Sequence, residues 1–91
     1  MFVLVVDLDT GNTEYRAFTK KRDAEDIYEK SEASAYSRKA KPVTITRTGE
    51  KAWVMEARLY EVNADDPRSA VEIVQSGGGV LIRPDPTLEN L

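Results

Sequence analysis

The chain has no cysteine and no histidine among its 91 residues. The first absence excludes disulfides and thiolate metal sites and fits a reducing compartment such as the cytoplasm. The second excludes imidazole acid–base chemistry and histidine-ligated metals. Aromatic residues are scarce, with Trp 1, Phe 2 and Tyr 4, so each carries a large share of any core or interface. No long apolar run is present. Residues 1–6 are apolar, but Asp7 stops them and no basic leader or small-residue cleavage site accompanies them. They read as a strand, not as a signal or a membrane span. Strong charge is missing too. A net charge of −3 is too weak for a nucleic-acid mimic and of the wrong sign for a protein that coats DNA. The imbalance is local: residues 19–42 are net basic and residues 63–91 net acidic. A chain this short buries roughly 60–65% of its unfolded surface. It has room for one core, expected over residues 1–84, followed by a short acidic tail at 85–91.

What is present is strand pattern. Residues 42–63 read as a hairpin, with Val43 and Ile45 alternating with threonines in the first arm and a turn at Thr48, Gly49 and Glu50. The second arm places Trp53, Met55, Ala57 and Leu59 on one face, the expected core face. Val54, Glu56, Arg58, Tyr60 and Val62 fall on the other. Residues 2–8 are apolar on both faces, as in a central strand. Residues 9–12 are a turn, and residues 13–18 continue as a short edge strand. Thr19 is the expected N-cap of a helix from Lys20 to Ser34, with Ala24, Ile27, Tyr28, Ser31 and Ala35 on its inward stripe. A second helix starts from Asp66 as N-cap with Pro67 at the first helical position, and runs to Gln75. Gly77, Gly78 and Gly79 end it, and Val80 to Arg83 form a last strand. The expected fold is therefore α+β, a single mixed, mainly antiparallel sheet in ββαββαβ order. Discounting the short second strand leaves the ferredoxin-like βαββαβ order, with both helices on one face.

Several local patterns suggest chemistry. Asp7 and Asp9, closing an apolar strand before Thr10 and Gly11, resemble the first motif of the haloacid-dehalogenase-like phosphatases, whose paired carboxylates work with magnesium. That family has Gly-Thr after the acids where this chain has Thr-Gly, and the chain is too short to supply the parallel sheet that assembles the site. Asp9, Thr10 and Gly11 also resemble the catalytic triplet of retroviral-type aspartic proteases. The apolar pair and glycine that such enzymes need late in the chain appear in reverse order at residues 77–82. Both patterns are accounted for by a polar turn closing a buried strand. The glycine triplet follows a helix instead of preceding one, so it faces the negative end of the helix dipole and is no phosphate cradle. Arg38, Lys39, Lys41 and Arg47 form a modest basic patch, a possible nucleic-acid contact. Residues 42–54 are similar to the hairpin of the prevent-host-death antitoxins, a resemblance that implies a DNA-binding regulator. The departures are the apolar N-terminal hairpin and the strand that continues through Tyr60, where that family turns directly into a helix.

The sequence thus points to a small cytoplasmic protein-binding module that is not an enzyme and uses no metal or cofactor. Its partner is another protein or a second copy. Val54, Glu56, Arg58, Tyr60 and Val62 are the expected contact residues, with the Tyr15 edge strand as a second associating surface. The alternatives are the antitoxin-like DNA-binding regulator and a small-ligand sensor. No membrane association is expected.

Overall fold

The computed structural model describes residues 1–36, 43–44, 49 and 51–84. In chain order the elements are β1 (Phe2–Leu8), β2 (Thr13–Phe18), α1 (Lys21–Tyr36), β3 (Val43–Thr44), β4 (Lys51–Ala52), β5 (Val54–Glu61), α2 (Pro67–Gln75) and β6 (Val80–Arg83). Four strands form one sheet in the order β2-β1-β5-β6, and β3 and β4 form a separate ribbon. Every neighbouring pair is antiparallel. The fold is α+β. No helix among the described residues is long and apolar enough to cross a membrane.

The local chemistry explains the element ends. Gly11 sits at φ 87° and donates to Leu8 O, while Leu8 N–H donates to Asn12 O at 2.9 Å, closing the β1–β2 hairpin on a three-residue loop. Asp66 is extended and accepts from Ser69 N–H at 2.9 Å, capping α2 one residue before Pro67. At the other end Gly77 N–H reaches Val74 O and Gly78 N–H reaches Ile73 O, with Gly77 at φ 89°. This is the Schellman arrangement, which satisfies helix carbonyls through a left-handed residue that favours glycine. The first helix begins at Lys21, one residue after the expected Lys20, and runs to Tyr36, two residues past the expected Ser34. Its Ala24 and Tyr28 are buried.

The two helices lie on opposite faces of the sheet, which corrects the expectation that they share one. Leu4, Ala57 and Leu59 pack with Ala24 and Tyr28 of α1, whereas Val3, Val5 and Val62 pack with Ala70 of α2. Neighbouring residues of β1 therefore serve different helices, because alternate strand residues point to opposite sides. Burial on both sides is why β1 is apolar throughout. The ferredoxin-like arrangement is also overturned. β1 and β5 are central as that order requires, but β2 takes the edge beside β1 and β6 the edge beside β5. β3, the described part of the long hairpin's first arm, pairs with β4 in the separate ribbon and not with the main sheet.

The largest departure from the strand pattern is a β-bulge. Leu4 faces Leu59 and Val6 faces Ala57, and the register then shifts so that Leu8 faces Val54 and Met55 is the extra residue. A bulge interrupts the period of two. Val54 and Ala52 thereby join Leu8 in a small core of their own, and Val54 is only 4% exposed. Trp53 and Met55, expected in the core, are 44% and 61% exposed. A second shift, between β5 and β6, leaves Ile82 as the extra residue and sets Arg83 opposite Leu59. Arg83 then points at α1, where its Nη2 donates to Glu25 Oε2 at 2.6 Å. That bond holds the Glu25 carboxyl below its ordinary 4.5.

Candidate functional site

The two helices are offset. α1 packs chiefly on β5, while α2 packs on β2 and β1. On the side of α2 the described elements therefore cover the β1–β2 half of the sheet and the end of β5 at Tyr60, and leave β5 open from its start to Arg58. Four residues of β5 and its approach meet there. Glu56, opposite Asp7, and Arg58 share the face of Val5 and Tyr60, and the bulge brings the unpaired Met55 to the same side. Trp53 follows in phase, since Ala52 and Val54 on either side of it point the other way.

Polar contacts hold the centre of this face. Arg58 Nη2 donates to Asp7 Oδ2 at 3.0 Å, and Thr13 Oγ1 donates to Asp7 Oδ1 at 2.8 Å. Glu56 Oε1 lies 3.9 Å from Arg58 Nε, and the Tyr60 hydroxyl is a long 3.5 Å from Nη1. Both Arg58 and Asp7 are half-buried. Partial burial works against the guanidinium's charge, but Tyr60, Asp7 and Glu56 together outweigh it and raise its pKa. Arg58 Nε is shielded from solvent and has no hydrogen-bond acceptor, so the guanidinium is fixed in place with a donor unspent. Asp9 anchors the exposed end: its Oδ1 accepts from Trp53 N–H at 3.1 Å, and its own N–H donates to Trp53 O at 2.9 Å. Trp53 is exposed on a backbone clamped from both sides.

Of the expected contact residues, the structure keeps Glu56, Arg58 and Tyr60 on one face. Glu56 is exposed and Tyr60 is partly covered against the α2 core. Val54 and Val62 are corrections. The bulge turns Val54 to the other side, and Val62, 3% exposed, is sealed under α2 with Val3 and Ala70. Neither offers a surface. Trp53 and Met55, expected in the core by periodicity, and Asp7, read as the acid that stops an apolar strand, lie on this face as well. The two adjacent charges at Glu56 and Arg58 facing Asp7 were the available signal, since that much charge on a strand marks a face left open. Arg38, Lys39, Lys41 and Arg47 lie outside the described residues, as does the tail at 85–91.

The acid pair does not converge. Asp7 is spent on Arg58 and Thr13, and Asp9 on the Trp53 backbone. Among the described residues no group of three or more acidic side chains is placed to hold a metal ion. The glycine triplet uses its Gly77 and Gly78 N–H groups on helix carbonyls. Two shallow grooves flank α2. One, of about 390 Å³, is lined by Ser69, Glu72, Ile73, Ser76 and Gly78. The other, of about 500 Å³, runs between α2 and β2. Both open to solvent along the helix. No protein-family model, curated protein or solved structure matches the chain.

Proposed function

We propose that the chain is a non-catalytic protein-binding module, acting in the cytoplasm, whose contact surface is the open face along β5. The observation that carries this is the exposure of Trp53 and Met55 beside a fixed Arg58. Tryptophan and arginine are the side chains most enriched at the energetic centres of protein interfaces, and a guanidinium already held by Asp7 loses little freedom when a partner docks. Methionine adapts its shape to an apolar partner surface. Glu56 supplies the charged rim.

The single tryptophan makes the test direct. Trp53 emission in the free protein should be that of a solvated indole and should shift to the blue when a partner binds. A double variant, Trp53→Ser with Met55→Ser, should melt close to the parent and lose at least about tenfold in affinity for proteins captured by the parent. Capture unchanged by the double variant would remove this face from consideration. Binding that instead weakens steeply with salt on duplex DNA would favour the antitoxin-like alternative.

A further inference from the structure

The two edges of the sheet are unlike. β6 is four residues long, carries a bulge and runs into Pro84, the devices by which edge strands avoid pairing. β2 is six residues long, in unbroken register with β1, and contains no proline and no bulge. Its outer side has no strand neighbour among the described residues.

The hydrogen bonding of the hairpin says which groups that side presents. Leu8 and Asn12 form a bonded pair, and bonded pairs alternate along an antiparallel ladder. Glu14, Arg16 and Phe18 therefore turn their main-chain groups towards β1, while Thr13, Tyr15 and Ala17 turn theirs outward. The side chains alternate as well. Glu14 and Arg16, opposite Val6 and Leu4, lie on the side of α1, and Arg16 stands over the Phe18 ring at 5.1 Å. Tyr15 and Ala17 lie on the side of α2.

We propose that a second copy of this chain joins at β2, antiparallel, about a two-fold axis through Tyr15, so that one sheet runs through both copies. The partner is identified by self-complementarity. With Tyr15 opposite the second copy's Tyr15, Thr13 faces Ala17, and every outward main-chain donor finds an outward acceptor. Glu14 then faces Arg16 twice, in the non-bonded positions where Cα atoms approach to about 4.5 Å and side chains interact most closely. Moving the axis to the neighbouring registers that preserve the main-chain bonding sets Glu14 against Glu14 or Arg16 against Arg16. Charge therefore selects the one register. The groove between β2 and α2, floored by Tyr15, Ala17 and Val71, lies beside the axis and is closed by the second Tyr15. This surface lies across β1 from β5 and does not rest on the partner-binding face above.

The test is charge reversal and its rescue, read as the dimer dissociation constant by sedimentation equilibrium. Arg16→Glu alone and Glu14→Arg alone each set like charges across the axis and should weaken the dimer roughly tenfold or more. The double swap should recover the parent affinity to within about threefold. Ala17→Pro removes an outward donor and leaves the β1 ladder intact, and it too should weaken the dimer. Because the chain has no native cysteine, register can be read by oxidation. Tyr15→Cys should cross-link efficiently, its Cα atoms being about 5.5 Å apart across the axis. Thr13→Cys, about 13 Å from its counterpart, should not. A parent that remains monomeric at millimolar concentration overturns the proposal. So does a dimer that ignores both reversals, or one that cross-links equally well through either cysteine.

Discussion

The two ends of β5 have similar residue composition and opposite fates. From Ala57 to Val62 the strand is covered by α1, with Ala57 and Leu59 beneath it, and its last residues Tyr60 and Val62 also reach the core under α2. From Trp53 to Glu56 it has passed the reach of α2, and its apolar side chains on that side, Trp53 and Met55, stand in solvent. The difference is one of coverage. Hydrophobicity along the chain does not distinguish Trp53 from Leu59, because burial is decided by where a helix ends and by a single extra residue in the ladder. The practical lesson is that a large aromatic in a strand is core only if something lies over it.

The sharpest way to break this contrast is to truncate both ends. Leu59, fully buried, should lose roughly 2–5 kcal/mol on Leu59→Ala, as large apolar truncations in tight cores do. Trp53→Ala should change stability by less than about 1 kcal/mol despite removing the larger side chain. Chemical denaturation of the pair decides the matter, and equal losses would mean that Trp53 is buried after all.

A smaller effect probes how α2 is stopped beside the covered end of β5, where Gly79 lies against Tyr60 and Val62. Gly77→Ala places a side chain at φ 89° and should cost about 1–2 kcal/mol. The loss should appear in thermal melting with the sheet signal retained.

The smallest concerns the link between α1 and the covered end. Glu25 has its pKa lowered in the folded state by Arg83, so its contribution is complete above its ordinary 4.5 and is lost as pH falls through the lower folded value. Glu25→Gln should remove that part of the acid sensitivity. Its effect at neutral pH should be below about 1 kcal/mol, since both partners are partly solvated. A melting-temperature series from pH 7 to pH 3 compares the two proteins, and identical acid slopes would deny the pair a role.

Much of the local structure was legible without coordinates. The β1–β2 hairpin, the Asp66 cap, Pro67 at the first helical turn and the glycine stop each rest on chemistry within a few residues, and α2 spans Pro67–Gln75 as its end signals imply. The candidate site was legible only in part. Glu56, Arg58 and Tyr60 were found on one face by a period of two, but Val54, Met55 and Trp53 were misassigned because that period does not survive the bulge.

The sequence by itself determined the element types and the centrality of β1 and β5, because caps, turns and two-sided apolar strands are encoded by near neighbours in the chain. Tertiary structure alone decided that the helices take opposite faces, that β2 and not β6 flanks β1, and that β5 carries a bulge against Leu8. These are choices among partners far apart in sequence. They are made by fitting Leu8, Ala52 and Val54 together on one side and Val3, Val5 and Val62 under Ala70 on the other, a packing problem that no stretch of the chain contains within itself.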